Sequence, residues 1–350
     1  MKNKRLLLYL LALMMLVALV ACTNNTSTGS IDQGQTDLEE KDQQGQGLEA
    51  EADLESPVEI SYGIMTGPTA VGSINLLEKS KAGQSKFILK ETITGTPDEI
   101  VANLIKGDLD MAVVPANLAA VLFNKTEGKI KLLASNNLGV LSILEVGNEV
   151  KSIEDLRGKT ILSAGKNATP DIILNYILTK NGLVQDKDYQ VEFKTEATEV
   201  VKDLEAGLGT IAILPEPMAS ILLTKNPDAR LAIDLNEQWA KLNDSPQFTG
   251  VLVARSEFLE DFDTEGFLKE YEASINEAKG NVEGTANLLE KYNIFKAPIA
   301  KKSIPNMNLA YMDKEELQAA MDNYLSILFE AQEKFIGGKQ VSEEFYYLGK

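Results

Sequence analysis

Two stretches of the chain share one pattern of apolar and polar positions, one hundred residues apart. Residues 99–125 and 199–225 align without a gap, and nine of the 27 pairs are identical, at positions 99, 101, 104, 107, 112, 115, 119, 122 and 125 of the first copy. Most other apolar pairs, such as Val113 with Ile213, keep size and hydrophobicity, which a packed core tolerates. The repeat is either a pattern common to any two βα units or the mark of two lobes built alike. The Gly, Pro and Lys that match at fixed offsets favour two lobes.

Each copy predicts a helix, a strand and a second helix. The segment TPDE at positions 96–99 is typical of a helix start, with the threonine as N-cap and the glutamate completing a capping box. We expect this helix to end at Gly107, the run MAVVP to form a strand and NLAAVLFNK to form a second helix. The second copy predicts a helix over 199–206, the strand IAILP and a helix after Pro215. This order is typical of an α/β sheet covered by helices.

A strand, a loop and a helix precede each copy. VEISYGI, from Val58, predicts a strand that opens onto a Gly- and Pro-containing loop at 65–69, and an apolar-periodic helix follows. In the second half, residues 159–163 predict a strand, and Thr169 is expected to cap a helix that stops at Gly182. Each lobe therefore presents two helix N-termini at strand ends, where an open α/β sheet places its ligand crevice.

The first 22 residues predict an export signal. Three cations within the first five residues precede an uncharged apolar run of 16 residues, Leu6 to Ala21. That run is short for a membrane span of ~20 residues and suits a signal peptide. The sequence LVAC that ends at Cys22 resembles the lipobox of bacterial lipoproteins, which implies a lipidated cysteine, carrying palmitate or a similar chain, at the mature N-terminus. An ordinary secretory signal with an incidental Cys22 is the alternative.

Residues 23–56 predict a disordered acidic tether. They contain nine acidic residues, one lysine and no aromatic residue, which is too little apolar surface to offset the entropy of ordering. Random-coil scaling gives the tether a typical reach of roughly 30 Å. We therefore expect a lipid-anchored protein on the extracytoplasmic face of a cell membrane, with a Gram-positive surface favoured.

Composition excludes several classes of function for residues 57–350. The net charge is −18 for the whole chain, and it is −13 for these residues once the three early cations and the tether's −8 are set aside. A nucleic-acid partner is not expected, because phosphate contacts need a basic face. The chain has no histidine, which removes the common His-dependent nucleophile systems, His general bases and His-ligated zinc. We predict no catalytic residue, no metal and no cofactor.

The motifs together resemble a known family. The lipobox, the acidic tether, TGPT after the first strand, GDLDMAVVPANLAAVL, SIEDLRGKTI, AGLGTIAILPEPMASIL and GVLVARSEFLED are similar to those of the solute-binding lipoproteins of ABC importers, and most similar to the group that binds nitrate, sulfonate, taurine and thiamine pyrimidine. The resemblance implies an α/β, two-lobed periplasmic-binding-protein type 2 (Venus flytrap) fold with a hinge of two crossing strands. It implies a first lobe of residues 57–143 plus 251–350 and a second lobe of residues 144–250.

The resemblance also implies ligand-binding positions where this chain matches the family. They are loops at strand ends and residues before the hinge: Thr66, Gly67, Pro68, Thr69, Pro115, Ala116, Asn117, Asn136, Asn137, Lys166, Asn167, Thr169, Glu216 and Pro217. None of these positions is arginine, although arginine forks are the usual partners of sulfonate and nitrate oxyanions.

Two of the candidate residues have alternative roles. Glu216 stands where the first copy has Ala116. It is either a charge that stabilises a helix N-terminus or an acceptor for a solute N–H group, as a pyrimidine or amine-bearing solute would supply. Trp239, the single tryptophan, either packs in the core or stacks on a solute ring.

The function implied by the resemblance is solute capture. A monomeric binding protein would hold a small organic molecule between its lobes and deliver it to the permease and ATPase subunits of an importer. An exported enzyme on the same fold and a lipoprotein repurposed for adhesion or signalling are the alternatives. The sequence does not identify the solute.

Overall fold

A computed structural model of the protein describes residues 57–349. The expected signal peptide of residues 1–22, the lipidation site Cys22 and the tether of residues 23–56 lie outside these residues. Within residues 57–349, no helix combines the length and the apolar character that a membrane crossing requires.

The described strands form two five-stranded sheets. In chain order they are β1 (Val58–Met65), β2 (Phe87–Thr94), β3 (Met111–Pro115), β4 (Ile130–Leu138), β5 (Leu141–Val146), β6 (Thr160–Ala164), β7 (Gln190–Lys194), β8 (Ile211–Pro215), β9 (Ala229–Asp234) and β10 (Phe248–Arg255). The first sheet has the order β2-β1-β3-β10-β4 and the second has the order β7-β6-β8-β5-β9.

The two sheets have the same topology. In each, the first three strands in spatial order are parallel and the fourth, β10 or β5, is antiparallel to its neighbours. Pro115 at the end of β3 lies opposite Gly250, and Pro215 at the end of β8 lies opposite Leu141. The interpretation of the repeat as two lobes built alike is confirmed.

Helices cover both faces of the sheets. They are α1 (Ile74–Lys81), α2 (Pro97–Lys106), α3 (Ala116–Lys125), α4 (Thr169–Lys180), α5 (Ala197–Glu205), α6 (Met218–Lys225), α7 (Leu235–Ala240), α8 (Thr264–Gly280), α9 (Val282–Lys291), α10 (Ala297–Ser303) and α11 (Lys314–Ala331). Short 3-10 helices span Pro68–Ser73, Ile153–Leu156, Ile304–Asn306, Glu333–Ile336 and Glu343–Phe345.

Local sequence explains where several elements begin and end. The strands predicted at 111–115 and 211–215 are confirmed as β3 and β8. The predicted stop of α2 at Gly107 is confirmed as well, because this residue has φ 86°, a conformation that glycine adopts without strain. The apolar runs give the strands, and glycine ends the helix.

Two predictions about helix starts are wrong in detail. Thr96 is the N-cap of α2, but its side chain makes no capping bond, and the Glu99 carboxylate accepts a hydrogen bond from the Thr94 hydroxyl instead, at 2.6 Å. The helix α4 starts at Thr169 rather than being capped by it, with Ala168 as N-cap. At α2 the Thr94 hydroxyl takes the carboxylate that the capping box would use, and at α4 the N-cap residue makes no side-chain capping bond.

Three apolar clusters stabilise the fold. One packs α1, α8, α9 and α10 against the first sheet, and a smaller one packs α5 and α6 against the second. The third runs from Val114 and Val253 in the first sheet to Ile143 and Ile213 in the second, and it includes Tyr324 of α11. Because this last cluster contains residues of both sheets, the two lobes share apolar packing where the chain passes between them.

The chain passes between the sheets twice. It leaves the first sheet through Gly139 and Val140, between β4 and β5, and it returns after α7 through the loop that precedes β10. Helix α11 forms a further connection, because it packs against both β4 and α4. The lobe bounds implied by the family, 57–143 plus 251–350 and 144–250, stay a prediction.

Candidate functional site

A cavity of about 280 Å³ lies between the two lobes, where strands of both sheets end. The first lobe contributes Met65, Thr66, Gly67, Pro68, Thr69, Pro115 and Asn117. The ends of β6 and β8 lead into Thr169, Pro170 and Pro215. The crossing segments and α11 complete the lining with Val140, Leu141, Gln247, Phe248, Thr249 and Tyr324.

Half of the ligand residues implied by the family line this cavity. They are Thr66, Gly67, Pro68, Thr69, Pro115, Asn117 and Thr169. The other half lie outside the lining: Ala116, Asn136, Asn137, Lys166, Asn167, Glu216 and Pro217. A binding role for any of them stays a prediction.

The first-lobe side of the cavity leaves helix starts open. Helix α3 begins at Ala116, directly after Pro115, and has no acidic residue in its first turn. The side chain of Asn117 reaches the Phe335 carbonyl only at 3.4 Å. Backbone N–H groups at a helix start lack intrahelical partners and carry a partial positive charge. The first lobe therefore offers hydrogen-bond donors to an occupant of the cavity.

The second-lobe side has carboxylates at its helix starts. Asp171, in the first turn of α4, is 5% exposed and accepts hydrogen bonds from the Asn167 backbone N–H and from Asn175 Nδ2, both at 2.7 Å. This carboxylate compensates the positive end of α4. The start of α4 therefore already has an internal anion.

Glu216 has a comparable role at the start of α6. It is 6% exposed; Oε2 accepts a hydrogen bond from the Ser220 N–H at 3.3 Å, and Oε1 accepts one from Asn306 Nδ2 at 3.2 Å. Burial raises the pKa of this carboxyl group above its usual value, although the bonds from Ser220 and Asn306 act in the opposite direction. The peptide bond between Glu216 and Pro217 is cis. Glu216 thus connects the start of α6 to the Ile304–Asn306 segment, which packs on the first sheet.

The paired asparagines of β4 lie behind the lining. Asn136 Nδ2 donates to the Tyr271 hydroxyl at 2.6 Å, whereas neither polar side-chain atom of Asn137 has a partner among the described residues. Both Asn137 and Thr69 approach Gly250, since a Cβ there would lie 2.5 Å from Asn137 Oδ1 and 2.9 Å from Thr69 Cγ2. Asn137 is therefore in the layer behind Thr69.

Two other candidates are engaged elsewhere. Lys166 is exposed, and its Nζ lies 5.9 Å from the centroid of the Phe193 ring. Trp239 is 1% exposed, its Nε1 donates to the Ser245 carbonyl at 2.7 Å, and its ring packs on Tyr324. Of the two roles considered for Trp239, the structure shows core packing.

The cavity has an uncharged lining. Among the described residues that form it, none is Lys, Arg, Asp or Glu. Tyr324 is its one ionisable residue of those described, and burial raises the pKa of its hydroxyl further above neutral pH. No cluster of potential metal ligands occurs in residues 57–349.

Several lining residues have no signal in the sequence. Gln247, Phe248, Thr249 and Tyr324 reach the cavity from the segment before β10 and from α11. Neither segment belongs to the repeat. A larger cavity of about 610 Å³ lies between α4 and the end of α11. Asn167, from the loop after β6, lines it, but no strand-end loop of the first sheet is among its described lining residues.

Comparison with known proteins identifies the class. Residues 93–265 match the family model described as the periplasmic substrate-binding protein of a phosphonate ABC transporter. A solved ABC-transporter structure from Parabacteroides distasonis is 25% identical, with a TM-score of 0.71, over 84% of this chain and 99% of that one. No protein of curated function matches the chain in sequence.

Two further structures share the fold at lower identity. The periplasmic aliphatic sulphonate-binding protein SsuA of Escherichia coli is 15% identical, with a TM-score of 0.65, over 83% of this chain and 92% of that one. The periplasmic nitrate-binding protein NrtA of Synechocystis PCC 6803 is 13% identical, with a TM-score of 0.54, over 77% and 80%.

The chain has the two-lobed α/β fold of periplasmic binding proteins, with a cavity between its lobes. Residues 93–265 match a family of ABC-transporter substrate-binding proteins, and this match supports a substrate-binding component of an ABC importer. That family implies a small-molecule ligand and permease and ATPase partners.

Proposed function

We propose that the protein is the lipid-anchored, extracytoplasmic binding component of an ABC importer and that it captures an uncharged small organic solute between its lobes. The observation that carries this proposal is the cavity of about 280 Å³ that both lobes line without a charged side chain. Met65, Val140, Leu141 and Phe248 give it apolar walls, as is common in sites for organic molecules.

The charges around the cavity disfavour an anionic solute. The matching family model is that of phosphonate-transporter binding proteins, and two structural relatives are named for binding sulphonate and nitrate. Phosphonate, sulphonate and nitrate are all oxyanions. Proteins pair such groups with Arg or Lys, and the lining of this cavity has neither. The nearby second-lobe helix starts already hold the buried carboxylates Asp171 and Glu216. An unpaired anion in a partly dry cavity would be costly.

An uncharged solute fits both sides of the cavity. A carbonyl or hydroxyl oxygen has partial negative charge, which suits the open start of α3 at Ala116 and Asn117. It needs no counter-charge from the second lobe. A solute that contacts both lobes binds the closed arrangement better than an open one, and this differential affinity drives closure.

The proposal is tested with two solutes that have the same ring. Benzamide is uncharged and benzoate is anionic, and both are titrated into the chain without residues 1–22 by ligand-observed NMR. We expect saturation transfer from benzamide and weaker or no transfer from benzoate. Tighter binding of benzoate would contradict the uncharged-solute proposal, and native mass spectrometry of the untreated protein then shows the class of any co-purified molecule.

The anchoring part of the proposal has its own test. The motif LVAC ending at Cys22 supports a lipid anchor, and stable attachment requires more than one lipid chain. We expect Cys22→Ala to release the protein into the medium or to leave its signal uncleaved. A correctly processed variant that stays on the membrane as the wild type does would contradict lipidation.

We also infer that the protein is not an enzyme. The chain has no histidine, and the described lining offers no carboxylate, lysine or cysteine for acid, base or nucleophilic chemistry. A solute recovered unchanged after prolonged incubation with the protein is the expected result. Its chemical conversion would favour the exported-enzyme alternative.

A further inference from the structure

We propose that Tyr324 and Gln247 bind the polar end of the solute, which is an uncharged group that both donates and accepts a hydrogen bond. This inference rests on the proposed function, and it adds two residues that belong neither to the repeat nor to the family-implied positions. Both residues line the cavity between the lobes.

Tyr324 has a buried hydroxyl group without an internal partner. The residue is 1% exposed, and its ring packs against Trp239 at 5.8 Å and Phe248 at 5.7 Å between centroids. Within residues 57–349 its hydroxyl makes no hydrogen bond, and burial alone shifts its pKa. Other buried tyrosines differ: the Tyr189 hydroxyl donates to Asn175, and the Tyr271 hydroxyl accepts from Asn136.

Gln247 lines the same cavity and has one acceptor without a partner among the described residues. The residue is 4% exposed, and its Nε2 donates to the Leu235 carbonyl at 3.1 Å. Because only the amide nitrogen can donate to a carbonyl, this bond fixes the orientation of the side chain and leaves Oε1 as the group without a partner. Gly139 is required beside it, since a Cβ there would lie 3.0 Å from Gln247 Oε1 and 1.9 Å from Asn236 Oδ1.

A buried polar group without a partner is unfavourable unless something in the functional state pairs with it. Gln247 Oε1 can only accept, whereas the Tyr324 hydroxyl can donate or accept. A solute group that gives an N–H or O–H to Gln247 and takes the Tyr324 O–H satisfies both. A carboxamide, a lactam and a hydroxyl group have this property, and the apolar wall formed by Phe248 and Leu141 suits the remainder of the molecule.

The test compares two amides and two tyrosine variants. Benzamide donates and accepts, whereas N,N-dimethylbenzamide keeps the ring and carbonyl but has no donor. We expect wild-type protein to bind benzamide at least threefold more tightly than the dimethyl amide. Tyr324→Phe should weaken benzamide binding about threefold to tenfold, the range of one net hydrogen bond. Its melting temperature should stay the same or rise, because the lost hydroxyl has no internal partner.

Tyr189→Phe is the matched control. It also removes one buried hydroxyl, but this one bonds Asn175 and does not line the cavity. We expect it to lower the melting temperature and leave the benzamide dissociation constant unchanged. Gln247→Met, which removes the acceptor, should weaken benzamide more than its dimethyl derivative.

The outcomes separate this inference from the proposed function. If benzamide binds but Tyr324→Phe changes its dissociation constant less than twofold, the inference is wrong and uncharged-solute capture stands. Equal binding of the two amides by the wild type would likewise contradict the inference and leave uncharged-solute capture standing. If neither amide binds while benzoate does, both the role of Tyr324 and Gln247 and the capture of an uncharged solute are contradicted. If none of the three probes binds, the recognition assigned to Tyr324 and Gln247 is also contradicted.

Discussion

The turns at the ends of β3 and β8 differ in backbone and in chemistry, since α3 starts directly after Pro115 whereas α6 starts two residues after Glu216. Pro115-Ala116-Asn117 in the first lobe and Pro215-Glu216-Pro217 in the second follow equivalent strands, and both prolines line the cavity. In the first lobe, α3 starts without an acidic residue. In the second, the Glu216 carboxylate accepts hydrogen bonds from Ser220 and Asn306 and compensates the start of α6.

The first-lobe turn is available for solute recognition, whereas the second-lobe turn contributes to the stability of the protein. The open start of α3 can give its partial positive charge to a solute, whereas the start of α6 is already paired within the protein. The two lobes therefore contribute unequally to binding although their sheets have the same topology. Exchanging residues between the two turns tests this difference directly.

The largest effect is expected when the second-lobe charge is placed in the first lobe. Ala116 is 2% exposed and belongs to the apolar cluster that joins the lobes. Ala116→Glu should lower the free energy of unfolding by about 3–5 kcal/mol, because the charge enters an apolar cluster and the N–H groups of α3 alone do not offset its desolvation. Urea unfolding at neutral pH measures this. Ala116→Gln has nearly the same size without the charge, and an equal loss in both variants would show that volume, not charge, sets the cost.

The reverse exchange should cost less. Glu216→Ala leaves the Ser220 N–H and the Asn306 amide without their acceptor, and we expect about 2–3 kcal/mol less unfolding free energy. The control is Glu205→Ala in the same lobe, whose partly exposed ion pair with Lys225 should contribute less than about 1 kcal/mol.

Affinity measurements on Glu216→Ala test the alternative role of this residue. Because Glu216 lies outside the cavity lining, the benzamide dissociation constant should change less than about threefold. A tenfold or greater loss, about 1.4 kcal/mol, would instead support the sequence-based prediction that Glu216 contacts the solute.

A binding effect without a stability effect is expected in the first-lobe turn. Asn117 lines the cavity, and its internal hydrogen bond to Phe335 is long, at 3.4 Å. Asn117→Ala should weaken benzamide binding about threefold, close to 0.6 kcal/mol, with little change in unfolding. Asn124 is the matched control: it lies on the same helix and bonds the Ile336 carbonyl at 2.8 Å, away from the cavity. Asn124→Ala should lower stability and leave affinity unchanged, and the opposite pattern would contradict the assignment.

The smallest effect concerns pH. Because burial raises the pKa of Glu216 in the folded state, the folded protein binds this proton more tightly than the unfolded chain does. The resulting stability is present below the unfolded pKa and is lost as pH rises through the higher folded value. Relative to Glu216→Gln, the wild type should therefore gain unfolding free energy as pH falls from neutrality towards 4.5, the usual glutamate value. Urea unfolding of both proteins at several pH values in this range measures the difference in unfolding free energy. A difference that does not change with pH would contradict the raised pKa of Glu216.

Local sequence patterns were enough to predict several elements and the doubled architecture. The runs at 111–115 and 211–215, the helix stop at Gly107 and the matching offsets of the repeat are local signals, because strand and helix periods and glycine conformations act over a few residues. The first-lobe loop at Thr66–Thr69 followed from the same signals, and it does line the cavity.

Which side chains come together depends on tertiary packing. Glu216 pairs with Asn306, which lies ninety residues further along the chain, and the cavity takes Gln247 and Tyr324 from segments outside the repeat. Contacts between residues so far apart leave no periodic pattern in the sequence, because they depend on how α11 and the crossing segments pack against both lobes. The same packing pairs Glu216 with Ser220 and Asn306 and brings Gln247 and Tyr324 to the cavity lining.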